Sequence, residues 1–229
     1  LRRSSLRGLQ IPGEAERLVA KLFADDTTVY LSGEDDYGEM LRVTTRWCRA
    51  SRARFNREKT EILPIGTEAY RREVLTTRKL CAGTDEIPAT AHIVRDGQAI
   101  RSLGAWIGNG IDLEAPWEPV IKTIETNLAK WKRGRPTMNG RKLAVAIEVA
   151  GRTQFRAAVQ TMPASVEQRL TKIVADFTWN GDARPCIARD QLYLPVPRGG
   201  LKLLNMKARN EAIAIMWLKT YLAVGLRRP

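Results

Sequence analysis

The pattern of apolar and polar positions changes character near residue 110. Before it, short apolar runs are separated by turn-forming residues. After it, apolar residues recur at i, i+3, i+4 and i+7, the period of an amphipathic helix. In the first part, residues 18–24 and 27–31 are strand-like runs flanking Asp25 and Asp26, so the spacing predicts a β-hairpin with both acids at its tip. Leu6, Leu9 and Ile11 suit a brief strand ahead of it. Asp36 with Glu39 three residues on forms a capping box, and Tyr37, Met40, Leu41, Thr44, Trp47 and Cys48 then share one helical face. This helix is expected to cover one face of the hairpin's sheet. A lysine-bearing turn around residues 56–60 leads into a strand, and a short helix is expected over 67–80. Asp96-Gly97 is a tight-turn signal predicting a second hairpin between 92–94 and 99–108.

The second part reads as helices. Trp117, Val120, Ile121, Ile124, Leu128 and Trp131 mark the first, and the basic, proline-broken linker KRGRP ends it. A run over 140–160 follows. Another helix over 163–180 carries a Ser165–Gln168 capping box and stops at Gly181. A Pro-, Arg- and Gly-rich loop then leads to a last helix over 205–224. Trp131, Trp179 and Trp217 are read as core. The expected class is α+β, with a mixed part over 1–110 and a helical part over 111–229.

Composition narrows the possibilities. With 229 residues and 44% apolar content the chain is long enough for a packed core. No run approaches the roughly 18 apolar residues of a membrane span, and LRRSSLRGLQ has no apolar signal segment. The chain opens on Leu1 rather than Met, so a start further upstream is expected. Cys48, Cys81 and Cys186 are widely spaced and odd in number, which speaks against a disulfide framework or zinc site and for a reducing, intracellular compartment, cytoplasmic or nuclear. His92 is the only histidine, leaving no material for a His-based triad. The formal net charge of +13 points to a polyanion, nucleic acid before a membrane surface. It is unevenly spread: residues 1–108 hold 18 Lys and Arg against 15 Asp and Glu, whereas residues 109–229 hold 20 against 10.

Two features carry candidate chemistry. Adjacent aspartates at a hairpin tip are either solvated turn residues or half of a site for a hard divalent cation, which takes oxygen ligands. Lys59, at the head of a strand, is either a surface residue or a point charge reaching toward a phosphate.

The series LRGLQIP, KLFADDTTVYL, ASRARFNREKTEILPIG, IRSLGAWIG, NLAKWK, GRKLAV, DFTWNG and GGLKL resembles, in this order, the reverse transcriptases of non-LTR (LINE-type) retrotransposons over nearly the whole chain. The resemblance implies the C-terminal part of a polymerase palm over 1–110, followed by a helical thumb and connecting region over 111–229. By resemblance, Asp25 binds catalytic Mg2+ in a two-metal site and Asp26 lies beside it in support. Lys59 of the Asn56-x-x-Lys59-Thr60 segment lies near the phosphates of a deoxynucleoside triphosphate, and Leu103-Gly104 matches the turn that grips the primer end. Lys122, Lys130, Lys132, Arg133, Arg135, Arg141 and Lys142 would hold an RNA template and DNA primer by the backbone, a salt-dependent mode. The implied reaction is nucleotidyl transfer, and the implied oligomeric state is open.

Three departures qualify that picture. The family takes a further metal-binding aspartate from a strand upstream, and residues 1–24 contain only Glu14 and Glu16 as acids. The fingers and the preceding palm helix are not in the sequence. Arg52 stands where the family usually has Gly. Two carboxylates hold Mg2+ poorly without a third. The expectation is therefore a polymerase fragment with little or no activity alone; the alternatives are a catalytically dead nucleic-acid-binding remnant and a decayed copy that folds poorly.

Overall fold

The computed structural model describes residues 1, 3–12, 15–181 and 185–222 and shows an α+β protein. No described helix is long and apolar enough to cross a membrane. The chain divides into two compact units. One comprises residues 1–100 with 108–110, the other 101–107 with 111–229. Residues 101–107 thus count with the helical part, which differs from a single boundary at 110.

The first unit begins with the hairpin. β1 (Ala20–Phe23) pairs antiparallel with β2 (Asp26–Val29), with Ala20 opposite Val29 and Phe23 opposite Asp26. The two-residue turn is therefore Ala24-Asp25, one position earlier than the expected Asp25-Asp26 tip. Leu9 makes an isolated antiparallel bridge with Leu18, all that forms of the strand expected around Leu6, Leu9 and Ile11. α1 (Tyr37–Ser51) starts as its sequence requires, with the Asp36 carboxylate accepting from Gly38 N and Glu39 N. It ends at Arg52, whose φ of 60° is left-handed. α2 (Glu68–Thr77) is capped by Thr67 and closed by Arg78, also left-handed. The Arg78 guanidinium donates to the carbonyls of Ile87, Pro88 and Ala91, fixing the loop that follows. Tyr37, Val74, Ile87, Ala91 and Ile93 form the core between these elements, with Met40, Leu41, Ile62 and Tyr70 packed against it.

The hairpin expected around Asp96-Gly97 does not form. Those residues do make a turn, with Gln98 N donating to Arg95 O. The flanking strands have other partners. β3 (Glu61–Ile62) pairs in parallel with β4 (His92–Ile93), and Val94 N donates to Ile62 O. Packing of half-buried Ile62 and buried Ile93 in the common core selects that pairing over the local one. β5 (Ile100–Ser102) instead pairs with β6 (Ala105–Ile107) across Leu103-Gly104. Both turn residues have positive φ, 48° and 88°, as a primed two-residue hairpin turn demands.

The second unit is built on α3 (Glu118–Arg133), α4 (Met138–Val145), α5 (Gly151–Gln160), α6 (Ala164–Thr178), α7 (Arg189–Tyr193) and α8 (Met206–Leu222). α4 and α5 are joined by a π-helical turn, Ala146–Ala150, where Gly151 N reaches back to Ala146 O. Trp117, Ile121, Ile124 and Leu128 are buried, as their spacing predicts, and pack with Val145, Val149, Leu170, Val174 and Phe177. Three expectations fail here. Ser165 does not cap α6, because Pro163 sets the helix entry and places Ser165 inside the first turn, where its hydroxyl donates to Glu114. Trp131 and Trp217 are not core: they are 42% and 58% exposed, since each lies beyond the last buried turn of its helix. The last two residues of the expected final helix, 223–224, lie outside the described residues.

Candidate functional site

The hairpin presents its two acids differently. Side chains alternate across a strand, so Phe23 and Asp26 share one face with Lys21 and Thr28. Ala20, Leu22, Thr27 and Val29 share the other. The second face looks onto an apolar cleft of about 400 Å³, whose walls include Thr27, Val29, Tyr37, Met40, Cys48 and Phe55. Asp26 therefore belongs to the face away from that cleft, and Asp25 sits in the turn. Ala24 takes φ 51°, a conformation that costs a residue with a Cβ about 1–2 kcal/mol. Both carboxylates are exposed, and among the described residues neither makes a hydrogen bond or ion pair.

The fit to a metal is incomplete. An ion such as Mg2+ needs a closely defined oxygen set, and two adjacent carboxylates supply only part of it. Among the described residues no group of three or more His, Cys, Asp or Glu side chains is arranged to hold one. Asp25 and Asp26 are the two carboxylates the hairpin offers, part of the oxygen set such an ion takes.

Lys59 closes a short 3-10 turn, Arg57–Lys59, ahead of β3. Its backbone is held by Asn56, whose Oδ1 accepts from Glu58 N at 3.1 Å and Lys59 N at 3.2 Å. Thr60 Oγ1 donates back to Asn56 O at 3.0 Å. The Asn-x-x-Lys-Thr spacing is thus a self-capped turn that fixes the backbone carrying the exposed lysine. Among the described residues no bond joins Lys59 to Asp25 or Asp26.

In the second unit, Leu103-Gly104 packs on α5. A Cβ on Gly104 would lie 2.7 Å from Phe155 Cε1, so the ring uses the space a side chain would fill. Gln160 Oε1 accepts from Trp106 N at 3.3 Å. Of the seven basic residues expected on the thumb, Lys122, Lys130, Lys132, Arg133 and Arg135 are exposed. Lys142 is half-buried, and Arg141 is engaged internally: its guanidinium donates to Pro136 O at 3.1 Å and Thr178 O at 2.6 Å.

One cluster escaped the sequence reading. Glu148, in the π-helical turn, is buried and ionised. Its carboxylate accepts from Asn127 Nδ2 at 2.8 Å, Arg152 Nε at 2.9 Å and Trp131 Nε1 at 3.2 Å. The hydrogen bond from Asn127, then that from Arg152, holds its carboxyl below the usual glutamate range against the opposing effect of burial. The four-residue spacing of Glu148 and Arg152 was the only signal in the sequence. No family model matches this chain, and no curated protein matches it.

Proposed function

We propose that this chain is the C-terminal palm and thumb portion of an RNA-directed DNA polymerase of the non-LTR retrotransposon class, without polymerase activity on its own. The observation that carries the reading is the hairpin: Phe23 opposite Asp26, Ala24 strained at the tip and Asp25 in the turn, in register with the ordered series of motifs that follows. In this reading Asp25 offers a carboxylate to Mg2+ and Asp26 supports it. Lys59 attends the triphosphate of an incoming nucleotide, Leu103-Gly104 the primer end, and the exposed cations of α3 and the linker after it the backbone of an RNA template and DNA primer. The family reaction is attack of a primer 3′-hydroxyl on the α-phosphate of a nucleotide, for which a two-metal site supplies the charge stabilisation.

The expectation of no polymerase activity rests on the acids present: the family's further metal-binding aspartate has no counterpart in residues 1–24, which leaves Asp25 and Asp26. Primer extension on an RNA template with Mg2+ or Mn2+ tests this, comparing the chain with Asp25→Asn. No extension by either protein is expected. Extension by the parent chain that the substitution abolishes would show that another group completes the metal site.

A second reading is a basic nucleic-acid-binding remnant with no catalytic role. It is favoured by the charge bias: the acid-rich half holds the aspartates, while the excess of cations lies in the helical half.

A further inference from the structure

Trp131 lies in the last turn of α3 and combines two properties. Its indole is 42% exposed, yet its Nε1 is tied to the buried carboxylate of Glu148 at 3.2 Å. Glu148 is in turn held by Asn127 and Arg152, so the anchor has no freedom to follow a wandering ring. An exposed tryptophan without such a tether samples several rotamers; this one is restrained at its Nε1 edge while the residue stays part-exposed and lines a cleft. Beside it is a shallow cleft lined by Asn127, Lys130, Trp131, Gly134 and Glu148. The amide oxygen of Asn127 makes no hydrogen bond among the described residues, so an acceptor remains at the cleft.

The surroundings are cationic. Lys130, Lys132, Arg133 and Arg135 follow or flank the tryptophan in sequence, all are exposed, and among the described residues none has an ion pair. The one acid in the cleft, Glu148, is already compensated by Arg152. A fixed aromatic face, one free hydrogen-bond acceptor and several free cations match an unpaired nucleobase carried between phosphates. The base stacks, its N–H edge donates to Asn127, and the flanking phosphates meet the cations. Inside a duplex no such base face is open, because the bases are stacked on one another, and only the terminal pairs expose one. Gly134 also lines the cleft and brings no side chain to it.

We propose that Trp131 is a stacking platform for an unpaired base, making the end of α3 a binding site for single-stranded nucleic acid that shares its cations with the duplex-holding surface but adds an aromatic face the duplex does not use. Glu148 holds the indole edge of Trp131. The inference rests on the reading that the partner is nucleic acid, but not on polymerase activity.

The test uses the full chain and fluorescence anisotropy of two dye-labelled probes, a short oligothymidylate and a blunt duplex of equal length, across a salt series. Trp131→Ala is expected to weaken the single strand about tenfold while changing the duplex less than about twofold. Trp131→Tyr, which keeps an aromatic face, should recover most of the loss. Lys132→Gln, a charge control, should weaken both probes alike and lower the salt slope by a fraction of a unit up to about one. Circular dichroism and the melting temperature of each variant establish that it is folded. Equal loss on both probes in Trp131→Ala, or no loss on the strand, overturns the platform. A parent chain that binds the duplex alone overturns it too and leaves the nucleic-acid reading standing. Binding of neither probe at low salt overturns both.

Discussion

Gly8 donates its backbone N–H to the buried carboxylate of Asp35 at 2.9 Å, tying the start of the chain to the loop after the hairpin. The same carboxylate accepts from Arg7 N at 2.6 Å and Ser32 N at 2.8 Å. A buried carboxylate needs several donors to be tolerated, and here all are backbone groups. Asp35→Ala leaves three N–H groups without their acceptor. It is expected to cost about 2–4 kcal/mol, read as a lower urea midpoint. Asp35→Asn, which keeps one acceptor oxygen, should lose less.

The two left-handed caps of the first unit should respond in opposite ways to glycine. Arg52 has φ 60° and is exposed, and among the described residues its side chain has no partner. Arg52→Gly removes the Cβ penalty and should stabilise by about 0.5–1 kcal/mol. Arg78 has φ 54°, but its guanidinium satisfies three carbonyls of the 87–91 loop. Arg78→Gly should destabilise, because the lost hydrogen bonds outweigh the relieved strain. Denaturant unfolding of the two variants side by side checks the sign of each.

Gly104 is constrained twice, by φ 88° and by the ring of Phe155. Gly104→Ala should cost about 2 kcal/mol or more, part from the backbone and part from the contact. A double-mutant cycle with Phe155→Ala separates the two parts. The portion that disappears in the Phe155→Ala background is the packing portion.

Glu148 gives the helical unit an acid limb. Its carboxyl titrates below the ordinary glutamate value of 4.5, so the folded state binds that proton less readily than the unfolded state does. The stabilisation is fully present above that value and is lost as pH falls through the depressed folded value. Thermal melting from pH 6 down to pH 3 should show a decline that Glu148→Gln flattens while lowering stability near neutrality. A parallel decline in both proteins would assign the acid limb to other groups.

Much of the local structure was legible. The Asp36 N-cap, the Thr67 start of α2 and the buried stripe from Trp117 to Leu128 all follow from spacing, because each depends on contacts a few residues apart; Glu39, expected to complete the cap, pairs with Ser5 and Arg42 instead. What was not legible depended on distant partners. Asp96-Gly97 turns the chain, but β4 finds β3 some thirty residues earlier, a choice made by the shared core. The shift of the hairpin turn from Asp25-Asp26 to Ala24-Asp25 rests on Ala24 adopting a left-handed φ, which no propensity for alanine foretells. Helical spacing placed Trp131 on the core stripe but not the point where the core ends. The anchor that holds its indole edge comes from Glu148, on another helical segment.

The measurement that bears most directly on the whole account is binding of an RNA–DNA hybrid by the full chain as a function of salt, with Asp25→Asn alongside. The account predicts binding at low ionic strength, a linear fall of log affinity with log salt that reflects several phosphate contacts, and no loss in Asp25→Asn. Absence of binding at low salt, or affinity indifferent to salt, would contradict it.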